Sequence, residues 1–338
     1  MRRCLFLARL GMGKVAPNPV VGAVLVYKER IIGEGYHIQY GQAHAEVNCI
    51  NNVRQEDQQY IALATLYVSL EPCAHYGKTP PCADLVIKNK IPAVVVGCQD
   101  PFKEVAGKGI QKMQEAGIQV VTGVLEKECI ELNKRFFIFH ELQRPYIVLK
   151  WAQTADQKVG SPDHSRVLIS NEITNRLVHK WRSEEAGILV GTNTALYDDP
   201  SLTGRLWGGI NPVRLVIDKN LRLPSHLQLF DGSVKTIVFN LVRQEEGKVI
   251  YHRLAGQKDF VIEMLAVLFK LNIQSVLVEG GPAVLQTFIK GGHWDEARVI
   301  TNHQMHISSG VQAPQLVGHR PSGWEKILSD TIQYFVRS

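Results

Sequence analysis

The stretch that most constrains this chain covers residues 44–82. It carries His44, Glu46 two residues on, and then Cys73 and Cys82. One imidazole and two thiolates supply three ligands to a zinc ion, one short of a tetrahedral set. Water fills the open position, and the metal lowers its pKa from ~15.7 towards ~7. Glu46 can share that cavity without coordinating, and a carboxylate there is suited to move the water's proton. A His/Cys/Cys set with a non-coordinating Glu is the machinery of a zinc-dependent deaminase. The local pattern agrees. His44-Ala45-Glu46 opens an apolar, helical-looking segment (Ala45, Val47, Ile50), and Pro72-Cys73 follows a strand-like run from Thr65 to Leu70. Pro72 is expected to end the strand and start the next helix, which puts Cys73 at a helix N-terminus where a thiolate is favoured. The alternatives are a purely structural zinc site or two ordinary core thiols.

The usual deaminase signature has two residues between its Cys ligands. Here residues 74–81 intervene, with His75, Tyr76, Lys78 and two prolines. An insert at the metal's edge lies where a substrate enters. The prolines stiffen it, and His75 and Lys78 offer hydrogen bonds and positive charge. The alternative is a solvated loop. Upstream, Asn18 stands between Pro17 and Pro19, either as a ligand-facing amide or as a turn former.

Strand and helix patterns alternate along the chain. Residues 2–13 read as a helix, 20–27 and 30–36 as strands about a Lys28-Glu29 turn, and 82–90 as a helix. Residues 93–97 read as a buried strand, 109–116 as a helix, 119–123 as extended, and 126–140 as one long helix. This alternation around a His/Cys/Cys site predicts a three-layer α/β/α domain over residues 1–143. At 338 residues two domains are expected. The boundary is set near Gln143-Arg144-Pro145, where a strand over 146–152 begins a second α/β domain, residues 144–338. Helices are expected there over 171–182 and 260–271, with strands over 187–191, 212–218, 236–240 and 274–279. The last strand ends in Glu279-Gly280-Gly281-Pro282. Two glycines let a ligand approach the backbone, and a helix start favours phosphate. Alone, such a turn is weak evidence, and it is not the GxGxxG fingerprint.

The segments Pro17-Asn18-Pro19-Val20-Val21-Gly22, His44-Ala45-Glu46-Val47-Asn48 and Glu71-Pro72-Cys73-Ala74-His75-Tyr76-Gly77-Lys78-Thr79-Pro80-Pro81-Cys82 closely resemble the bifunctional riboflavin biosynthesis family. That family joins a diaminohydroxyphosphoribosylaminopyrimidine deaminase to a 5-amino-6-(5-phosphoribosylamino)uracil reductase. The resemblance implies a cytidine-deaminase-like domain followed by a dihydrofolate-reductase-like one, with Zn2+ and NADPH as cofactors. It implies Glu46 as the catalytic residue, His44, Cys73 and Cys82 as metal ligands, and Asn18, His75 and Lys78 at the deaminase substrate. Ala152, Val167, Thr194, Asp198, Gly280, Gly281, Pro282, Ala283 and Thr287 are implied at NADPH. Lys150, Ser165, Arg182, Leu202, Arg205 and Glu279 are implied at the reductase substrate. Two positions depart from the family pattern and bear on cofactor affinity. Gln157 stands where the family usually has Gly, and Val167 where it usually has Trp.

The net charge of +6 suits small anionic substrates such as phosphorylated pyrimidines. Lys and Arg are scattered, with no basic, aromatic-rich face for nucleic acid. That speaks against a tRNA-directed deaminase, the second reading of the site. A third reading, a non-enzymatic zinc-stabilised protein, leaves Glu46 without a purpose. Cys4, Cys49, Cys98 and Cys129 sit among apolar neighbours and are expected to be reduced thiols of a cytoplasmic protein. Arg9 cuts the N-terminal apolar run too short for a signal peptide. No run approaches the ~20 apolar residues of a membrane span. A homo-oligomer is left open.

Overall fold

The computed structural model describes residues 1–338 except 77–79, 103–105, 164 and 166. Lys78 therefore lies outside the described residues. The chain divides into two compact units, Met1–Gln143 and Arg144–Ser338.

In the first unit the order is α1 (Arg2–Arg9), β1 (Gly22–Tyr27), β2 (Arg30–Tyr36), α2 (Ala45–Asn51), a 3-10 segment (Gln55–Leu63) and β3 (Thr65–Leu70). There follow α3 (Cys82–Lys88), β4 (Ala93–Cys98), α4 (Lys108–Glu115), β5 (Gln119–Val121), α5 (Glu126–Leu132) and α6 (Lys134–Leu142). The sheet order is β2-β1-β3-β4-β5. Strand alternation sorts side chains to two faces. Ala23 and Leu25 of β1 join Ala45 and Cys49 of α2, Ala83 of α3 and Met113 of α4 in one cluster. Val24 joins Cys4 and Leu7 of α1 on the other side, so the unit has the expected three layers. Lys28 and Glu29 both take positive φ (45° and 64°), the two-residue hairpin turn expected between β1 and β2.

Two features hold α2, and with it His44 and Glu46, against the sheet. Gly35 admits the helix backbone, since a Cβ there would stand 2.2 Å from Cys49 N. Asn48 and Asn52 donate to the carbonyls of Tyr36 (2.8 Å) and Glu34 (2.9 Å), which also covers part of the β2 edge.

Three expectations need correction. Cys73 is not in a helix: residues 71–76 carry no helix or strand, and the next helix among the described residues begins at Cys82. The long helix expected over 126–140 is broken at Asn133, whose φ is −107°. Its amide donates to Val20 O and accepts from Val20 N, both at 2.9 Å, so the break turns that side chain to the strand entry. The first helix ends at Arg9 rather than running on through residue 13, and turns follow it.

The second unit contains β6 (Tyr146–Thr154), β7 (Lys158–Gly160), α7 (Glu172–Glu184), β8 (Gly187–Gly191), α8 (Thr192–Asp198), β9 (Val213–Ile217), β10 (Thr236–Asn240) and β11 (Val249–Arg253). After these come α9 (Phe260–Lys270), β12 (Ser275–Gly280), α10 (Pro282–Gly291), β13 (Glu296–Asn302), β14 (Val311–Gln312), β15 (His319–Ile327) and β16 (Asp330–Arg337). Its large sheet runs β11-β10-β9-β8-β12-β6-β13-β16-β15. The strands from β11 to β13 are parallel, and β16 and β15 add an antiparallel edge. The chain order reverses beside β12, the place in an open α/β sheet where ligands bind at the carboxyl ends of strands. Asn171 caps α7 by accepting from Ile173 N and Thr174 N.

Candidate metal centre and candidate cofactor cavity

His44 is the N-cap residue of α2, with extended backbone (φ −72°, ψ 169°), so its ring leaves the helix start toward α3. Its Nδ1 lies 3.4 Å from Cys82 Sγ and 3.7 Å from Cys73 Sγ. Zn–S near ~2.3 Å and Zn–N near ~2.0 Å at a tetrahedral angle require about 3.6 Å between such donors. The three donor atoms lie within 4.8 Å of one another, so the residues fit zinc. Cys82 is the first residue of α3, and its N–H donates to Cys73 Sγ at 3.4 Å. Cys73 thus receives a helix-start N–H without being in the helix. The hydrogen bond from the Cys82 thiol pushes the Cys73 thiol down, to about 4, and the same contact pushes Cys82 up. A cation that takes both sulfurs as thiolates removes that conflict.

Glu46 lies in the first turn of α2 and is 3% exposed. Burial, reinforced by Cys73, holds its carboxyl above the ordinary range. The site's other wall is a short chain of polar contacts. His37 meets His44 edge-on at 5.3 Å, and its Nδ1 lies 3.1 Å from Ala43 O. A carbonyl accepts only, so Nδ1 carries the proton and Nε2 accepts from Asn18 Nδ2 at 3.2 Å. Burial lowers the His37 pKa and keeps the ring neutral. Asn18 is therefore aimed by a histidine that sequence reasoning passed over. His75 lies 6.3 Å from the Phe102 ring, and Phe102 packs on His140 at 5.0 Å.

Glu71 was also overlooked. Its buried carboxylate accepts from Gly107 N (2.9 Å), Gly109 N (2.9 Å), Ile110 N (3.2 Å) and Asp100 N (3.2 Å). This fixes the chain before α4 against the segment that carries Cys73. Its only signal in the sequence is its place directly before Pro72-Cys73. Asp100, part of the same arrangement, is pushed up to about 7, chiefly by burial.

In the second unit a cavity of about 880 Å³ opens at the ends of β6, β8, β9 and β12. Of the expected cofactor residues, Ala152, Val167, Thr194, Asp198, Gly280, Gly281, Pro282 and Ala283 line it. Thr287 does not, and its hydroxyl donates to Ala283 O at 2.8 Å within α10. Gly280 takes φ +142°, a conformation that side chains rarely adopt. A Cβ at Gly281 would stand 2.9 Å from Thr194 Oγ1. Gly281 caps α10 with no side-chain acceptor, and Pro282 follows. The first N–H groups of α10 are therefore left for an anion. A glycine-lined helix start in a cavity of this size fits a dinucleotide pyrophosphate.

Lys150, Ser165 and Glu279 also line the cavity. Glu279 is gripped by the guanidinium of Arg182, with Nε to Oε1 and Nη2 to Oε2 both at 2.7 Å. Lys150 Nζ lies 3.6 Å from Oε2. Burial raises the Glu279 pKa, but Arg182 and Lys150 outweigh it and hold the carboxyl at about 2. Burial lowers the Lys150 pKa. The Arg182 fork is thus engaged by Glu279, and its Nη1 donates to Thr203 O at 3.3 Å. Arg182, Leu202 and Arg205 stand outside the cavity wall. Leu202 is buried, whereas Arg205 is exposed with Nη1 on Ser201 Oγ at 2.6 Å. Ser165 donates its hydroxyl to Asp163 at 2.7 Å. Gln157 holds φ +59°, in the left-handed region that a side chain restricts.

Residues 1–98 match the cytidine and deoxycytidylate deaminase zinc-binding region, and residues 145–303 match the RibD C-terminal domain. The riboflavin biosynthesis protein RibD of Bacillus amyloliquefaciens is 41% identical over 94% of this chain and 86% of its own length. That of Aquifex aeolicus is 39% identical over 87% of this chain and 83% of its own length. The crystal structure of the Thermotoga maritima diaminohydroxyphosphoribosylaminopyrimidine deaminase/5-amino-6-(5-phosphoribosylamino)uracil reductase superposes with a TM-score of 0.91 at 34% identity. It covers 100% of this chain and 97% of that one. The chain belongs to the RibD family of riboflavin biosynthesis proteins and is a bifunctional deaminase and reductase that uses zinc and NADPH.

Proposed function

We propose that Met1–Gln143 deaminates 2,5-diamino-6-(5-phosphoribosylamino)pyrimidin-4(3H)-one and that Arg144–Ser338 then reduces the ribosyl group of 5-amino-6-(5-phosphoribosylamino)uracil to ribityl. The observation that carries the first half is Glu46, buried beside a three-ligand donor set. Zinc, when bound, supplies water that ionises near neutral pH. Glu46 takes the proton from that water and returns it to the ring nitrogen and the leaving ammonia. The neutral His37 turns Asn18 to the pyrimidine, with its amide N–H spent on His37 and its Oδ1 facing a ring N–H. His75 belongs to the insert between Cys73 and Cys82, and Lys78 is part of the same insert in the sequence.

In the second unit NADPH, when bound, supplies a hydride to C1′ of the ribosyl group. Breaking the bond between C1′ and the ring oxygen leaves that oxygen in need of a proton. Lys150, whose pKa burial lowers, is the group set to give it, and Glu279 and Arg182 hold Lys150 in place. Arg205 takes the substrate phosphate, and Ser165, on the cavity wall, borders the sugar. The substrates are small phosphorylated pyrimidines, and the protein works in the cytoplasm.

The test is turnover by the purified, zinc-loaded chain, with ammonia release and NADPH oxidation followed separately. Ammonia release from the diaminopyrimidinone without NADPH is expected, followed by oxidation once NADPH is added. Ammonia release from cytidine or from tRNA in place of that substrate would overturn the assignment.

A further inference from the structure

Arg205 is exposed, yet side chains from other parts of the unit hold the main chain on both sides of it. Arg214 of β9, itself fully buried, donates Nε to Ser201 O at 3.0 Å. Arg182 of α7 donates Nη1 to Thr203 O at 3.3 Å. Asn211 Oδ1 accepts from Gly204 N at 2.9 Å, and His179 Nδ1 of α7 accepts from Leu206 N at 3.5 Å. Leu202 is buried at φ +49°, a conformation that only a well-held segment imposes on leucine. Arg205 itself reaches back over two hydroxyls, Ser201 Oγ at 2.6 Å and Thr203 Oγ1 at 3.4 Å. A segment tied in this way presents one guanidinium in a fixed place, which lowers the ordering cost of binding an anion there.

His179 is the tie that no other role explains. It is only 1% exposed. A backbone N–H can only donate, so the Nδ1 that faces Leu206 N carries no proton and the neutral ring holds its proton on Nε2. Burial, with Arg182 and Arg205 close by, lowers the His179 pKa to about 4, so the ring stays neutral and Nδ1 stays an acceptor. His179 and Arg182 lie three residues apart on α7, the spacing that puts two side chains on one face of a helix. The same Arg182 grips Glu279, which in turn pairs with Lys150. One helix face therefore touches both the Arg205 segment and the carboxylate beside Lys150. We infer that His179 is a positioning residue of the reductase, holding the 203–206 segment so that Arg205 meets the substrate's 5-phosphate at a set distance from Lys150. It touches no substrate itself, and it sets how strongly the enzyme prefers a phosphorylated sugar to one without phosphate. The inference rests on the reading of Arg205 as the phosphate contact.

The test uses the full zinc-loaded chain and follows NADPH oxidation with 5-amino-6-(5-phosphoribosylamino)uracil and with the same compound lacking its phosphate. The readout is the ratio of the two kcat/KM values, which a general loss of folded enzyme does not move. Arg205→Gln should lower that ratio roughly 10- to 100-fold, the scale of a lost charged hydrogen bond. His179→Leu should lower it roughly 3- to 10-fold, the scale of a lost neutral hydrogen bond, chiefly through KM for the phosphorylated compound. Its turnover of the unphosphorylated compound and its Kd for NADPH should match the unmodified chain. His179→Asn, whose amide oxygen stands where Nδ1 stood, should restore most of the ratio. His179→Gln keeps an amide but moves its acceptor away from Leu206 N, so it should behave as His179→Leu and serves in its place if the leucine variant does not fold. Equal losses for both compounds would make His179 a support of the fold and overturn the inference, and an unchanged ratio in the leucine and glutamine variants would overturn it too. If Arg205→Gln leaves the ratio intact, the reading of Arg205 as the phosphate contact has failed and the inference falls with it.

Discussion

Glu46 and Glu279 are both buried carboxylates, and their surroundings push them in opposite directions. Glu46 has thiols for neighbours, and burial raises its pKa. Glu279 has Arg182 and Lys150, which hold it at about 2 against burial. The first is poised to exchange a proton and the second to stay charged. Glu46→Gln keeps the shape and removes the exchange, so deamination should fall by ~10²–10⁴-fold or more while zinc content stays at one per chain. Elemental analysis beside ammonia release decides this, and loss of metal would make Glu46 a ligand or a structural group. For Glu279 the sign follows from its lowered folded-state pKa. The ion cluster contributes its full stability above the unfolded value of ~4.3 and loses it as pH falls toward about 2. The amount is on the order of 3 kcal/mol. The second unit should therefore lose stability steeply between about pH 4.5 and pH 2, and Glu279→Gln should flatten that limb in acid denaturation followed by circular dichroism. An unchanged acid limb in the variant would show that the cluster does not govern acid stability.

At the scale of elements, several features that a local pattern governs were legible. The Lys28-Glu29 turn, the start of α2 at His44, the Asn171 cap and the Gly-Gly turn before α10 all follow from residues within a few positions of one another. Features that depend on distant partners were not legible. Nothing near Asn133 announces a break, because the break serves Val20, 113 positions away. Nothing near Pro72 says that Cys73 stays outside a helix and that Cys82 begins one. His37 reads as one more histidine at the end of a strand until Asn18 and Ala43 are brought to it. The Glu71 carboxylate likewise finds its four N–H donors only 29 to 39 residues further along the chain. The Asn133 amide gives a direct test. Asn133→Ala leaves the buried N–H and C=O of Val20 without partners, at about 1–3 kcal/mol for each unsatisfied group. The midpoint of urea unfolding should fall accordingly, whereas Asn133→Asp, which keeps the acceptor and loses the donor, should cost less. Equal unfolding midpoints for Asn133→Ala and the unmodified chain would mean that the break has another cause.

At the scale of the whole molecule, the candidate metal centre and the candidate cofactor cavity are built from separate residues. The donor set of His44, Cys73 and Cys82 lies in Met1–Gln143, and the cavity with Lys150, Glu279 and the α10 start lies in Arg144–Ser338. Each unit has its own sheet and its own buried cluster. Zinc affinity should fall with acidity, because His44 must be neutral and both thiols ionised to coordinate. Removing the metal with a chelator, or replacing one sulfur by Cys73→Ser, should then abolish ammonia release. NADPH oxidation with the already deaminated substrate should continue close to its original rate. Supplying that substrate directly matters, because a coupled assay would show both activities falling together whatever the architecture. If NADPH oxidation fell with ammonia release even then, zinc would have to support the second unit as well, and the two sites could not be treated as independent. The complementary change, Gly281→Val, places a branched side chain against Thr194 and the approach to the α10 start. It should raise the Kd for NADPH and slow reduction while ammonia release from the first substrate stays unchanged. Each of the paired variants is thus expected to impair one activity and spare the other, the outcome that two self-sufficient sites on one chain give.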